Sequence, residues 1–172
     1  VINRLDNIAE LAQAIPSIET VVVVGYINPK PDISQITSAV LFEQTLTCDP
    51  LVQFAPVSFN DPLYILYSSG TTGAPKCIVH SVGGTLMKHI CELRLHSNVK
   101  SGDNVFYFTT CGWMMWNWLV SALLCRATVI VYEGSPFYPE PERLWQIAES
   151  EKFTLFGTSA KYIDAVRKAG LI

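Results

Sequence analysis

The sequence predicts an α/β fold, a doubly wound and mostly parallel sheet flanked by helices, and three observations carry that prediction. From Asn104 onward, short runs of β-branched and aromatic residues alternate with segments whose apolar residues recur at helical spacing. Val21-Val22-Val23-Val24 is a continuous β-branched run, the pattern of a parallel strand covered on both faces. Gly and Pro clusters, instead of long linkers, punctuate the changes of period.

Taken in order, Asn3 to Ile15 places Leu5, Ile8, Leu11, Ala12 and Ile15 on one helical face, and Pro16 ends the pattern. Glu19 to Gly25 is the buried strand. Residues 28–38 hold Asn-Pro and Lys-Pro-Asp and read as a loop, followed by a short helix around Leu41 to Leu46. Cys48 to Asn60 is irregular. Leu63 to Tyr67 is a strand, and Cys77 to His80 can return as a second, which would make the intervening loop the tip of a strand pair. Gly83 to Leu95 is a helix ended by Ser97-Asn98. Val105 to Phe108 is a strand, Met114 to Cys125 an apolar helix, and Thr128 to Tyr132 a buried strand. After the Pro-rich loop Gly134 to Pro141 come a helix over Glu142 to Glu151, a strand over Phe153 to Gly157 and a helix over Ser159 to Ala169.

The 172 residues suffice for one domain, and no internal repeat interrupts them. Charged residues are only 16% against 49% hydrophobic, so some apolar surface is expected to meet partners beyond this stretch. A net charge of −3 offers no basic footprint for nucleic acid or an anionic membrane surface. The longest apolar region, Trp118 to Tyr132, is broken by Arg126 and too short to span a bilayer. Cys48, Cys77, Cys91, Cys111 and Cys125 are odd in number and contain no Cys-x-x-Cys pair, which reads as reduced thiols in the cytoplasm. His80, His89 and His96 with Cys91 and Glu92 do not form a metal set: His89 and Cys91, two apart, point different ways on a helix.

The chemistry concentrates in Tyr67-Ser68-Ser69-Gly70-Thr71-Thr72-Gly73-Ala74-Pro75-Lys76. Hydroxyls and backbone N–H groups in such a loop can turn toward an anion, and Gly70 and Gly73 permit close approach and positive φ. It is not a Walker A loop, since Pro75 precedes Lys76 and Cys77 follows it. Composition alone leaves a phosphate loop level with an ordinary polar turn.

The whole string is more specific. It resembles the phosphate-loop signature of the adenylate-forming superfamily, which includes acyl-CoA synthetases, luciferases and peptide-synthetase adenylation domains. With Cys111-Gly112-Trp113-Met114-Met115-Trp116-Asn117-Trp118 and Ala160-Lys161, the chain is most similar to the acetoacetyl-CoA synthetases of that superfamily. The resemblance implies that residues 1–172 are an internal fragment of the large AMP-binding N-terminal domain, with the phosphate loop at 67–76 and the C-terminal domain absent. The remainder of the same polypeptide would then be a partner, carrying the adenine, ribose and adenylation-lysine contacts.

By that resemblance the activity is ATP-dependent conversion of acetoacetate to acetoacetyl-AMP and then acetoacetyl-CoA, with Mg²⁺ arriving on ATP and coenzyme A as co-substrate. Ser68, Ser69, Gly70, Thr71, Thr72 and Gly73 would cradle the phosphates, and Lys76, with Thr71 and Thr72, would act on the leaving group. Trp113, Met114 and Met115 would shape the acyl pocket. Phe137 stands where acetyl-activating relatives tend to carry a CoA-contacting Asn. Burial preferences separately make Trp116 and Trp118 candidates for the core. Two alternatives stay open: another short-chain acyl-CoA synthetase acting on acetate or propionate, and a truncated non-catalytic nucleotide-binding or interaction module. On the fragment reading, these residues alone are expected to lack turnover.

Overall fold

A computed structural model describes residues 4–46, 49, 53–68 and 73–171. They belong to two compact units divided between Ala55 and Pro56. The sequence pattern by itself reads as one piece over residues 1–172.

The first unit starts with α1 (Leu5–Ala14) and continues through β1 (Val21–Val23), β2 (Ala39–Leu41) and the short α2 (Phe42–Thr45). β1 and β2 pair in parallel, Val21 opposite Ala39 and Val23 opposite Leu41. Between them, Asn28 and Asp32 side chains accept from the backbone N–H groups of Lys30 and Ser34, so the connection is built from local polar turns. Two expectations are corrected here. The β-branched run is not covered on both faces, because Val22 is 48% and Val24 60% exposed. Branching at Cβ favours the extended backbone but does not supply a second covering layer. β2 was not read from the sequence: it is three residues long, too short for a period to register.

The second unit opens with β3 (Pro62–Ser68) and β4 (Lys76–Ser81), an antiparallel pair with Ser68 opposite Lys76 and Ile65 opposite Val79. The loop is therefore the tip of a strand pair. Then follow α3 (Val82–Cys91), β5 (Asn104–Tyr107), α4 (Met114–Val120), β6 (Thr128–Ile130), α5 (Arg143–Ser150), β7 (Leu155–Gly157) and α6 (Ala160–Lys168). β5 is central in a three-stranded parallel sheet of order β6-β5-β7.

The doubly wound character follows from the side chains of β5. Val105 and Phe106 are successive, so they point to opposite faces, and both are fully buried. Val105 packs with Leu93, Trp118, Leu119, Ala122 and Cys125. Phe106 packs with Leu144, Tyr162 and Val166 and stacks on Phe153 at 4.7 Å between ring centroids. α4 thus covers one face, and α5 and α6 the other.

Two predicted helices change character part-way. The one placed over Gly83 to Leu95 is α3 followed by a π-helical turn over Glu92–His96, closed by the Ser97 N–H to the Glu92 carbonyl at 2.8 Å. The wide turn brings Leu93 fully into the core. The one placed over Met114 to Cys125 is α4 followed by a 3₁₀ turn over Ser121–Cys125, which stops at Arg126 in the left-handed region, φ 59°. The strand expected to reach Tyr132 ends at Ile130, and Val131 is 66% exposed.

Leu144 has no exposed surface and anchors the α5 side of the sheet. Leu144→Ala should cost about 2–5 kcal/mol, because the deletion leaves a cavity in a close-packed cluster. The midpoint of urea unfolding should fall accordingly.

Candidate functional site

In a sheet of order β6-β5-β7 the chain leaves β5 toward one neighbour and later returns on the other side. The carboxyl ends of the strands at that reversal border a crevice suited to ligands. A cleft of about 400 Å³ lies there, lined from β5 and its continuation by Phe106 to Cys111, from α4 by Trp116 and Leu119, and from the end of β6 by Val131 to Gly134. Its walls are aromatic and aliphatic, with the hydroxyls of Tyr107, Thr109 and Thr110 and the Glu133 carboxyl as polar points.

Gly157, paired with Tyr107 across β5 and β7, keeps one wall in place: a Cβ there would come within 2.1 Å of the Tyr107 ring. Behind the cleft the Tyr107 ring meets Trp118 edge-on at 6.2 Å between centroids. Trp118 is the core residue of the tryptophan segment. Trp116, two positions earlier on α4, packs against that core and lines the cleft. Met115 also packs against the core cluster, whereas Trp113 and Met114 are 69% and 45% exposed and do not line the cleft.

The second group of residues sits on the strand pair. Ser68 and Lys76 are the two feet of the loop, directly opposite in register and therefore on one face of the ribbon. Lys76 is exposed and makes no ion pair among the described residues. Ser69, Gly70, Thr71 and Thr72 lie outside the described residues. Gly73 differs from expectation. It is not among the glycines with positive φ, and among the described residues an added Cβ would meet nothing within 4 Å.

The start of α3 does not compete for an anion. The N–H groups of Val82 and Gly83 are taken by the carbonyls of Asp61 and Phe59, and that of Gly84 by the Ser81 hydroxyl. A phosphate bound at the hairpin tip would therefore meet loop groups and Lys76, not a free helix end.

A polar cluster ties α3 to α4. Ser121 Oγ lies 3.0 Å from the Asn117 carbonyl and 2.8 Å from His89 Nδ1, within hydrogen-bond distance of both. One turn on, Glu92 accepts from the Trp118 indole N–H at 3.1 Å and pairs with Lys88 at 3.0 Å. Burial holds the His89 imidazole below the usual histidine range, His80 adding to the effect and Glu92 opposing it. The Lys88 hydrogen bond keeps the Glu92 carboxyl below its ordinary value. The sequence showed these residues only as a metal candidate. His89 turns inward to Ser121, while Cys91 Sγ lies 4.0 Å from His96 Nε2. Among the described residues no group of three or more His, Cys, Asp or Glu could hold a metal ion.

Other features lie apart from this chemistry. Phe137 rests on Tyr162 at 5.4 Å between ring centroids. Lys161 is an exposed residue of α6. Cys77, Cys91, Cys111 and Cys125 are free thiols. No helix among the described residues is long and apolar enough to cross a membrane.

Comparison with known proteins places these features in context. The family described as AMP-binding enzyme matches residues 1–171. The chain is 61% identical over 121 residues to the acetoacetyl-coenzyme A synthetase of Rhizobium meliloti (strain 1021), covering 70% of this chain and 18% of that protein. It is 43% identical over 176 residues to the acetoacetyl-CoA synthetase of Gallus gallus, covering 98% of this chain and 26% of that protein. A solved structure of the acetoacetyl-CoA synthetase from Streptomyces lividans superimposes with a TM-score of 0.86 at 43% identity, over 98% of this chain and 26% of the other. The chain thus spans about a quarter of the length of the relatives it matches almost throughout.

The depressed His89 fixes the sign of a pH effect. An unfolded histidine takes up its proton near pH 6.5, as about the ordinary value, while the folded one resists until lower pH. The unfolded state therefore binds more protons in that window, and stability present above about pH 6.5 is lost as pH falls through the folded value. Urea midpoints measured from about pH 7.5 down to pH 5 should fall more steeply for the wild type than for His89→Gln.

Proposed function

This chain belongs to the AMP-binding enzyme family, and from that premise we propose that it is the phosphate-gripping and acid-binding portion of a longer ATP-dependent acid–thiol ligase acting on acetoacetate. The observation that carries the reading is the placement of Trp116, from the tryptophan-rich segment whose sequence resembles acetoacetyl-CoA synthetases, in a cleft at the carboxyl ends of parallel strands. The cleft suits a short acid with one further polar group: aromatic and aliphatic walls exclude water, and hydroxyls of Tyr107, Thr109 and Thr110 offer donors.

In the first half-reaction a carboxylate oxygen of acetoacetate forms a bond to the α phosphorus of ATP, and the bond from that phosphorus to the bridging oxygen breaks. Pyrophosphate leaves and acetoacetyl-AMP remains. The acid is already ionised at neutral pH, so no protein base is needed. What the chain must supply is position and charge. Ser68, Ser69, Gly70, Thr71, Thr72 and Gly73 hold the phosphates in this reading. Lys76 balances charge accumulating on pyrophosphate, and its exposed position at the foot of the loop supports that role. Mg²⁺ enters with ATP and neutralises phosphate charge when bound.

In the second half-reaction the coenzyme A thiol adds to the acyl carbonyl and AMP departs. The acyl group lies in the β5–β6 cleft against Trp116, while Trp113, Met114 and Met115 lie outside the lining of that cleft. The adenine, ribose and adenylation-lysine contacts belong to the rest of the polypeptide. The reading also places the protein in the cytoplasm, with no nucleic-acid or membrane partner, supported by free thiols and the absence of a basic footprint.

ATP–pyrophosphate exchange by the full-length protein tests the assignment. Acetoacetate should support faster exchange than acetate or propionate, and Lys76→Ala should lower the rate by about 10²-fold or more. Faster exchange with acetate would favour a different short-chain synthetase.

A further inference from the structure

The polar ties between α3 and α4 stand on the side of α4 turned away from the cleft. α4 is seven residues long and gives way at once to a 3₁₀ turn, too short a helix to hold its own orientation by backbone hydrogen bonds. Trp116 and Leu119 face the cleft, while Trp118 and Ser121 are met by Glu92 and His89. His89, in α3, and Glu92, the first residue of the π-helical turn, are three apart, and their partners Ser121 and Trp118 are also three apart. The contacts are directional where the surrounding packing is not. A tryptophan ring surrounded only by aliphatic side chains can slide or rotate, but an indole N–H bound to a carboxylate fixes both rotation and depth.

The π-helical turn begins at Glu92 itself. Lys88, one turn earlier, holds the second carboxylate oxygen and so orients the first toward Trp118. Thr85, a further turn back, is also buried, and its hydroxyl has no partner. The inner side of α3 is thus polar at Thr85 and His89, an uncommon composition for a helix packed on an apolar core, and the π-helical turn adds Glu92, whose side chain stays 34% exposed. Apolar residues at the two buried positions would fill the same space with less desolvation cost, so a role in orientation accounts for them better than one in stability.

We propose that His89 and Glu92 are positioning residues for acid selection, gripping Ser121 and Trp118 from behind so that the opposite side of α4 presents Trp116 and Leu119 to the substrate at a fixed depth. The inference rests on the acid-binding reading of the β5–β6 cleft. It makes α3, which does not line that cleft, part of what distinguishes a four-carbon 3-oxo acid from acetate.

The test uses the full-length enzyme and two substitutions that preserve shape: Trp118→Phe, which keeps an aromatic ring beside Tyr107 but removes the N–H, and Ser121→Ala. Each should raise KM for acetoacetate about ten-fold with kcat and the KM for ATP little changed, narrowing the preference for acetoacetate over acetate. Glu92→Gln retains a carbonyl acceptor for Trp118 and should stay within about two-fold of wild type, whereas Glu92→Leu should behave like Trp118→Phe. Unchanged acid preference in folded Trp118→Phe and Ser121→Ala enzymes would overturn the proposal. Amide hydrogen exchange on the wild type gives an arm independent of variant folding. Saturating acetoacetate should protect residues 88–92 together with 114–120, and protection confined to 114–120 would also overturn it. A wild type that does not activate acetoacetate would instead refute the functional reading on which the inference rests.

Discussion

The second unit depends on the burial of β5 from both sides. Val105 and Phe106 are adjacent in sequence, yet each is the centre of a different apolar cluster. A strand that must be covered twice requires helices on both faces, and the parallel pairing to β6 and β7 places the strands' carboxyl ends together. The cleft is a consequence of that arrangement: where neighbouring connections depart to opposite faces, nothing fills the space between them. Its walls are Tyr107, continuing β5, and Trp116 on the helix that covers the Val105 side. Changes to the core and changes to the cleft are therefore coupled through a single strand and the helix packed on it.

The strand pair carries a different constraint. An antiparallel ribbon fixes Ser68 opposite Lys76, whatever the loop between them does. The cation therefore stays at the foot of a hydroxyl-rich loop without help from a helix dipole. This separates the site from phosphate loops that lead directly into helices, since the first N–H groups of α3 are already bonded by Phe59, Asp61 and Ser81. In the proposed function, grip on an anion comes from the loop's own groups and Lys76 instead of from a helix end.

The sequence was informative wherever a single period ran long enough. The α/β alternation after Asn104, the strand pair around the loop and the helices near residues 83, 114, 142 and 159 were legible because each repeats an apolar position several times. β2 was not, and neither were the π and 3₁₀ turns, which arise from how Leu93 and Cys125 reach the core and leave little trace in local pattern. The candidate site was legible in part for a related reason. A ten-residue string with unusual chemistry stands out, and so do three tryptophans close together. Which tryptophan faces a cleft depends on helix phase and on what lies behind it. Trp118 turned to the core, Trp116 to the cleft edge, and Trp113 outward. The sequence argues against a metal role for His89 but offers it no partner, because nothing local announces Ser121, thirty-two positions away.

On the proposed function, this stretch of chain supplies the acid cleft and the phosphate hairpin of one adenylate-forming centre. The most direct measurement is a crystal structure of the full-length protein bound to a stable acetoacetyl-adenylate mimic with a sulfamoyl group in place of the phosphate. The acyl group should lie against Trp116 in the cleft between the ends of β5 and β6, with the sulfamoyl group beside the hairpin that runs from Ser68 to Lys76. An acyl group seated elsewhere, with Trp116 still facing an empty cleft, would contradict it.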